Sequence, residues 1–214
     1  MARRRTGVTG VAPIAGLLLA GGLSRRMGGG DKCLRMLGGT TILARIAACV
    51  APQVGSLALN ANGDAARFDE FGLPVLPDVI PGNAGPLAGV LTGLEWAATR
   101  DCAWLATIPT DAPFLPPDLI GRMADAVVRD GSDMACAASA GRNHPVAGLW
   151  PVRLRGALRQ AMTAENIRKV DRWTDRYKLS IVEFIADPYD PFFNVNRPED
   201  LDRAEQIIAL VDTI

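Results

Sequence analysis

Short apolar segments alternate with helical patterns along most of this chain, and this alternation restricts the fold more than any other feature of the sequence. The segments are continuously apolar, which is typical of strands that are buried on both faces of a parallel sheet. Strands are predicted at residues 14–19, 56–60, 73–76, 103–108, 133–137, 145–149 and, with a weaker pattern, 179–184. Helices are predicted at about residues 41–50, 86–99, 117–129, 154–161 and 198–211. The sequence therefore predicts an α/β fold with a mostly parallel central sheet and helices on both faces.

Length and composition favour one domain. The chain has 214 residues, of which 49% are hydrophobic and 21% charged, and it shows no repeat or linker. We expect a single domain over residues 1–214, with about the first 12 residues as a flexible tail.

Lys and Arg together number 23, as do Asp and Glu, so the net charge is zero. A chain without a basic surplus is unsuited to non-specific nucleic-acid binding, and we expect no nucleic-acid partner.

The N-terminal region contains three arginines at residues 3–5 and an apolar stretch at residues 11–20, which together resemble a secretory signal. Pro13 and Gly16 interrupt the stretch, and no A-x-A cleavage site follows it. No apolar run reaches the ~18 residues of a membrane span. The four cysteines lack C-x-x-C spacing and are interpreted as buried thiols in a reducing compartment. We therefore expect a cytoplasmic protein without a membrane partner.

A glycine-rich segment with several cations, AGGLSRRMGGGDK, follows the first predicted strand at residues 20–32. It matches neither the P-loop pattern G-x-x-x-x-G-K-[ST] nor the dinucleotide pattern G-x-G-x-x-G. Glycine is costly to order and clustered cations repel one another, so an anionic ligand would offset both costs. We expect backbone N–H groups to bind phosphate oxygens, with Arg26 and Lys32 as charged partners. A solvated surface loop is the alternative.

Asp111 follows the strongest central-strand candidate and lies between Pro109 and Pro113. The carboxyl ends of parallel strands share one edge of the sheet, and ligands bind beyond that edge. A carboxylate fixed there suits Mg²⁺, which takes one or two protein carboxylates and completes its octahedron with water and substrate phosphates. A turn-forming aspartate is the alternative.

Asp78, Asn60 and Asn62 follow other predicted strands, where a base or ribose would be bound. A carboxylate accepts two hydrogen bonds from the ring N–H and amino group of guanine, whereas adenine lacks this donor pair. The asparagines could contact the nucleotide or only turn the chain.

The segment NVNRPEDL places Asn194 and Asn196 two residues apart, on one face if the chain is extended. Helix capping by Asn196 is the alternative to ligand contact. His144, the single histidine, could be a satisfied interior group or a contact for a second anionic substrate.

In this order and over a chain of this length, LAGGLSRRMGGGDK, NAN, GPLAG, TDAP and NVNRPEDL resemble the motifs of the molybdenum cofactor guanylyltransferases. The resemblance extends from about Ile14 to Ile207. It implies a Rossmann-like nucleotidyltransferase fold and an enzyme that joins GTP to molybdopterin, which gives the guanine dinucleotide form of the cofactor and pyrophosphate. By motif match it assigns GTP contacts to Leu19, Ala20, Gly21, Gly22, Lys32, Asn60, Asp78 and Asp111.

The resemblance also implies chemical roles. Asp111 would hold Mg²⁺, while Lys32 and Arg26 would stabilise the charge that grows on pyrophosphate. The pterin would lie towards Asn194 and Asn196. If His144 contacts the second substrate, it belongs to the same pterin-binding group. The resemblance further implies transient contact with molybdoenzymes or their chaperones.

Two positions depart from the family pattern. The family often has Cys before the metal-binding Asp, where this chain has Thr110, and an acidic residue before His-Pro, where it has Asn143. Neither change removes a charged ligand of the metal, but the second affects the pterin side.

The reaction implied by the resemblance requires little acid–base machinery. A terminal phosphate monoester has a second pKa of about 6 and is already largely dianionic near neutral pH. It can attack the α-phosphorus of GTP without a general base, so positioning and charge neutralisation suffice. Alternatives are a cytidylyltransferase or sugar-phosphate nucleotidyltransferase of the same fold, and a non-catalytic GTP-binding chaperone for molybdoenzymes. A hydrolase based on His144 would need a G-x-S-x-G elbow, which this sequence lacks.

Overall fold

A computed structural model of the chain describes residues 13–20, 31–82 and 85–211. The described residues form nine strands: β1 (Ile14–Leu19), β2 (Met36–Leu37), β3 (Thr40–Thr41), β4 (Ser56–Asn60), β5 (Val75–Leu76), β6 (Trp104–Pro109), β7 (Met134–Ser139), β8 (Arg142–Pro151) and β9 (Leu179–Phe184). They also form six α-helices: α1 (Ile42–Val50), α2 (Pro86–Ala98), α3 (Leu119–Asp130), α4 (Arg155–Thr163), α5 (Val170–Thr174) and α6 (Pro198–Val211).

Seven strands form one sheet in the order β5-β4-β1-β6-β8-β7-β9. Every neighbouring pair is parallel except those of β8, which is antiparallel to both β6 and β7. The predicted mostly parallel α/β sheet is therefore confirmed. Because β8 runs in the opposite direction, its first residues lie at the edge where β1, β4, β6 and β7 end.

The sheet separates two apolar clusters, as expected for strands covered on both faces. Consecutive residues of β1 show the separation, since Leu17 and Leu18 are both fully buried but belong to different clusters. Helices α1, α3 and α6 contribute to the cluster that contains Leu18, and helices α2, α4 and α5 to the one that contains Leu17. The predicted helices on both faces are thus present.

Two small elements are absent from the prediction. Strands β2 and β3 form a separate two-stranded sheet, and α5 is a five-residue helix. Both are too short for hydrophobic periodicity to reveal them. Strand β8 also begins at Arg142 rather than at the predicted residue 145. None of the described helices is both long enough and apolar enough to span a membrane.

Helix α2 lies very close to the sheet because two of its residues are glycines. A Cβ placed on Gly93 would lie 2.6 Å from Leu17 Cδ2 and 2.7 Å from Leu105 Cδ2. A Cβ on Gly89 would lie 2.4 Å from Asn60 Oδ1. These distances are too short for any side chain, so the glycines allow the helix to approach β1, β4 and β6.

Gly93→Ala should destabilise the fold, whereas Gly121→Ala in α3 should not. Both changes improve helix propensity by about 1 kcal/mol. At Gly93 the new methyl group meets two fully buried leucines, and overpacking costs ~1–3 kcal/mol. At Gly121 nothing lies within 4 Å of the new atom. Urea denaturation of both variants measures the difference, and equal stabilities would contradict the close approach of α2.

Candidate active site

The candidate residues lie in a defined order along one edge of the sheet. Asp78 follows β5, Asn60 ends β4, and Lys32 is the last residue of the glycine-rich segment that follows β1. Asp111 follows β6, which is central in the sheet, and His144 lies near the start of β8. This is the edge that the sequence predicted.

Lys32 connects the first and last predicted motifs. Its Nζ donates to Asn196 Oδ1 at 2.6 Å, across a separation of 164 residues in the chain. The side chain of Asn196 is thus directed to Lys32 and not to α6. The helix is capped differently, because Asp200 Oδ2 accepts from the backbone N–H groups of Asn196 and Arg197, both at 2.9 Å. The alternative that Asn196 caps this helix is therefore wrong.

Asp111 is held at the centre of the edge by backbone contacts. Its carbonyl oxygen accepts from Val195 N at 2.8 Å, which joins β6 to the segment before α6. The preceding Thr110 Oγ1 donates to the carbonyl oxygen of Leu19 at 3.0 Å and so ties the end of β6 to the end of β1. Thr110 thus supplies a structural hydrogen bond at the position where the family pattern has Cys.

The carboxylate of Asp111 is half-buried, and no hydrogen bond from another described residue reaches it. Burial raises the pKa of Asp111, while the nearby positive charge of Lys32 acts in the opposite direction. The backbone N–H of Asp111 itself also lowers the pKa. A partly desolvated carboxylate that accepts no hydrogen bond from another described residue is a suitable ligand for a hard cation.

Magnesium fits this arrangement only as an ion that is shared with a ligand. No group of three His, Cys, Asp or Glu side chains that could hold a metal occurs within residues 13–20, 31–82 and 85–211. One protein carboxylate with remaining positions for water and phosphate oxygens is a donor set typical of Mg²⁺.

Asp78 is clamped by two amides. Asn60 Nδ2 donates to Asp78 Oδ1 at 2.9 Å, and Asn62 Nδ2 donates to Asp78 Oδ2 at 2.8 Å. Asn62 Oδ1 also accepts from the backbone N–H of Asp78 at 2.9 Å. The structure therefore brings together all three residues that the sequence placed at the base or ribose position, and Asn62 holds Asp78 in place.

Asn60 is the most buried member of this clamp, with 4% of its surface exposed. Its Nδ2 also donates to the carbonyl oxygen of Leu76 at 3.0 Å, and the absence of a side chain at Gly89 leaves room for its amide. Its backbone carbonyl accepts from Ala20 N at 2.9 Å. Leu19 and Ala20 thus lie beside the clamp, at the beginning of the glycine-rich segment.

The sequence does not predict an ion pair that holds Asp31, near the end of the glycine-rich segment. Arg67 Nε lies 2.5 Å from Asp31 Oδ2, and Arg67 also donates to the carbonyl oxygens of Asn62 and Asp64. Arg67 thereby connects the residue before Lys32 to the segment of Asn62. The two charges are 36 residues apart in the chain, and no motif marks Arg67.

His144 lies in a cluster of its own on the other side of Asp111. Its Nε2 is 2.7 Å from Ser139 Oγ, which also donates to Asp190 Oδ1 at 2.6 Å. The imidazole stacks on Phe192, with ring centroids 4.3 Å apart. The ring is half-buried and hydrogen-bonded, so the expectation of a satisfied group applies at least to Nε2.

The structure gives less information about the other predicted site residues. Asn194 is exposed, and its neighbour Val195 is fully buried. Gly21, Gly22 and Arg26 lie outside the described residues, so their predicted contacts with phosphate stay predictions.

A cavity of about 550 Å³ with four cationic lining residues lies beside α5. It is lined by Asn166, Ile167, Arg168, Lys169, Arg172, Asp175 and Arg176. A Cβ on Gly85, just before α2, would lie 3.6 Å from the carbonyl oxygen of Arg168, so this cavity borders the first turn of α2. No sequence motif marks this cavity, because exposed Arg and Lys residues are typical of any solvated face.

Comparison with known proteins agrees with this geometry. Residues 16–178 match the model of the MobA-like NTP transferase domain. The chain is 55% identical over 199 residues to a molybdenum cofactor guanylyltransferase of Rhodopseudomonas palustris (strain BisB5), which covers 92% of this chain and 94% of that protein. It is 53% identical over 201 residues to the protein of the same name from Bradyrhizobium sp. (strain ORS 278). That alignment covers 93% of this chain and 95% of the Bradyrhizobium protein. The chain belongs to the molybdenum cofactor guanylyltransferase family.

Solved structures agree on the fold. The chain resembles the crystal structure of molybdopterin-guanine dinucleotide biosynthesis protein A from Archaeoglobus fulgidus with a TM-score of 0.69 and 22% identity, over 92% of this chain and 99% of that one. The resemblance of the five sequence motifs to the guanylyltransferases is therefore confirmed, and so is the nucleotidyltransferase fold that it implied.

In this member of the guanylyltransferase family, Asp111→Asn should stabilise the ligand-free protein. Because burial raises the pKa of Asp111, the folded protein binds the proton more tightly than the unfolded chain does. The ionised carboxylate therefore lowers stability above its folded-state pKa, and this cost disappears as the pH falls towards the ordinary Asp pKa of about 4. We expect the thermal unfolding midpoint to rise by a few degrees at pH 7 and by less at about pH 4.5.

The matched control is Asp69→Asn, which changes an exposed aspartate in the segment before β5. It should leave the unfolding midpoint unchanged at both pH values. A loss of stability in Asp111→Asn at pH 7 would show that the carboxylate has a structural partner.

Proposed function

We propose that this protein transfers GMP from GTP to the terminal phosphate of molybdopterin and releases pyrophosphate. The observation that carries the proposal is the order of groups along the sheet edge. The Asp78 clamp lies on one side, Lys32 and Asp111 lie in the middle, and His144 lies on the other side. Two substrates on either side of a central charged pair would meet where phosphoryl chemistry takes place.

The clamp side suits the guanine base. A carboxylate has about four lone-pair positions, of which Asn60 and Asn62 use two in Asp78. The remaining positions can accept the ring N–H and the amino group of guanine. Because both oxygens are already fixed by amides, Asp78 is oriented before the base arrives, which reduces the entropic cost of binding.

Lys32 suits the phosphates. Its ammonium is held at 2.6 Å by the amide oxygen of Asn196, a neutral partner that orients the charge without neutralising it. A cation in this position stabilises the negative charge that develops on departing pyrophosphate. The backbone N–H groups of Gly21 and Gly22 and the guanidinium of Arg26 are proposed to bind the same phosphates.

Asp111 is proposed to hold Mg²⁺ together with the substrate phosphates. When bound, the ion neutralises phosphate charge and aligns the α-phosphorus with its attacker. The protein supplies the half-buried carboxylate for it and fixes the Asp111 backbone through Val195. No general base is required, because a phosphate monoester near neutral pH is largely dianionic.

Molybdopterin is proposed to bind at the part of the sheet edge that lies beyond Asp111, away from the Asp78 clamp. Asn194 and Asn196 precede α6, and the second of them touches Lys32. They are proposed to contact the pterin substrate. Transient contact with molybdoenzymes or their chaperones and a cytoplasmic location stay predictions, the latter supported by four cysteines without disulfides.

A pyrophosphate-release assay tests this proposal. Release is measured with GTP, CTP, ATP or UTP, each in the presence of molybdopterin and Mg²⁺. We expect release with GTP far above the other nucleotides. Asp111→Asn should nearly abolish it, and Lys32→Ala should lower kcat by about 10²-fold or more, with a smaller change in the apparent KM for GTP.

Matched controls separate the site from general damage. Lys178→Ala and Asp101→Asn change exposed residues outside the site and should leave turnover unchanged. Binding of GTP without pyrophosphate release would favour a non-catalytic GTP-binding module instead, and preferred release with CTP would favour a cytidylyltransferase.

Asp78→Asn should impair the choice of base. An unpaired buried donor costs ~1–3 kcal/mol, so GTP binding should weaken by that amount while residual ATP binding changes little. Isothermal titration with both nucleotides measures the difference. Asn62→Ala serves as the control, because it loosens the clamp but keeps the carboxylate. Equal losses for GTP and ATP in Asp78→Asn would mean that Asp78 supports the clamp and does not read the base.

A further inference from the structure

Ser139, His144 and Asp190 form a polar cluster at the ends of β7 and β8. Ser139 Oγ lies 2.7 Å from His144 Nε2 and donates to Asp190 Oδ1 at 2.6 Å. Ser139 is fully buried, with 0% of its surface exposed. The proposed transfer reaction uses neither Ser139 nor Asp190, yet a buried hydroxyl with two polar partners restricts where each proton is placed.

The protons in this cluster can be assigned by elimination. An ionised carboxylate only accepts hydrogen bonds, so the single hydroxyl proton of Ser139 points to Asp190. Asp190 Oδ1 also accepts from Phe192 N at 2.9 Å, which fits its role as an acceptor. Ser139 Oγ must then accept from His144, and His144 Nε2 must carry a proton.

The second ring nitrogen of His144 differs from the first. No hydrogen bond to Nδ1 from another residue is recorded in the described part of the chain. Burial lowers the pKa of His144, Asp190 raises it, Arg142 lowers it and Glu183 raises it. Because the net effect lowers the pKa of His144, the ring is neutral at neutral pH. In a neutral ring that carries its proton on Nε2, Nδ1 is a hydrogen-bond acceptor.

The cluster is continuous with the transfer site. Asp190 lies in the segment that leads to Val195, whose N–H binds the carbonyl oxygen of Asp111, and to Asn196, which contacts Lys32. Strand β8 pairs antiparallel with β6, so His144 near its start lies at the edge where Asp111 follows β6. Phe192 covers one face of the imidazole, with an interplanar angle of 16°.

We propose that Ser139 and Asp190 are positioning residues that hold His144 as its Nε2–H tautomer, so that Nδ1 accepts a hydrogen bond from an N–H group of the second substrate. The part about the substrate rests on the proposed function, in which that substrate is a pterin with ring and amino N–H groups. This role differs from the expected contact with an anion, because a neutral acceptor does not attract phosphate oxygens.

Nuclear magnetic resonance tests the tautomer directly, because His144 is the only histidine in the chain. Protein without a histidine tag, labelled with ¹⁵N-histidine, gives one imidazole to assign. We expect a neutral ring with its proton on Nε2 and a one-bond ¹⁵Nε2–¹H signal that a buried acceptor protects from exchange. Ser139→Ala should lose this protected signal, and Asp190→Asn should lower the pKa of His144 because a raising charge is removed.

Ser180→Ala is the matched control. Ser180 is also a buried serine that donates to an aspartate, at 2.7 Å to Asp130 Oδ2, and it lies near the start of β9, at the opposite edge of the sheet. It should leave the His144 signal and the pKa of His144 unchanged. A proton on Nδ1 in the unmodified protein, or an unchanged protected signal in Ser139→Ala, would overturn the proposal. The tautomer of the unmodified protein decides it even if Ser139→Ala does not fold.

Kinetics test the substrate role separately. Loss of one hydrogen bond should raise the KM for molybdopterin by ~3–10-fold in His144→Ala and Ser139→Ala, with the dissociation constant for GTP unchanged. The double variant should be no worse than either single variant, since both changes remove one interaction. Equal losses for GTP and molybdopterin would overturn the positioning role. If the unmodified protein releases no pyrophosphate, the proposed function fails, whereas the tautomer result is unaffected.

Discussion

The ammonium of Lys32 is the contact on which the arrangement of this site depends. Lys32 is the last residue of the glycine-rich segment, and it donates to Asn196 near the end of the domain. Its positive charge also lowers the pKa of the half-buried Asp111, which burial raises. One side chain thus joins the first and last motifs and faces the central carboxylate. An arginine would present a wide planar fork to these partners, whereas the compact charge of lysine fits a position that must also accommodate a phosphate.

Strand direction explains how residues that are distant in the chain reach one edge of the sheet. Parallel strands place the residues that follow them at the same edge, as for Asn60, Asp78 and Asp111. The antiparallel β8 instead contributes the residues at its beginning, so His144 reaches the edge before its strand enters the core. A single reversed strand therefore adds a neutral imidazole beside the charged pair without another crossover helix.

The sequence predicted the long elements and the residues that follow them, because burial on both faces leaves continuous apolar runs and parallel strands share an edge. It also placed Asn60, Asn62 and Asp78 at one position, and the structure joins them by hydrogen bonds. It could not identify Ser139 and Asp190 as partners, since they are 51 residues apart and neither belongs to a motif. Their proximity results from the packing of the segment before α6 against β7, which hydrophobic periodicity does not encode.

Asn143 stands where the family often has an acidic residue, and the cluster around His144 contains a different carboxylate, that of Asp190. The family often has an acidic residue directly before His-Pro, and such a residue would add negative charge near the imidazole. Here the carboxylate of Asp190 is close to His144 through Ser139, and it raises the pKa of His144 against the effect of burial. A carboxylate linked through a hydroxyl fixes the tautomer as well as the charge, whereas an adjacent exposed carboxylate would supply mainly charge. With Asn143 in the strand, the imidazole still contacts Ser139, and the carboxylate of Asp190 comes from the segment that also carries Asn194 and Asn196.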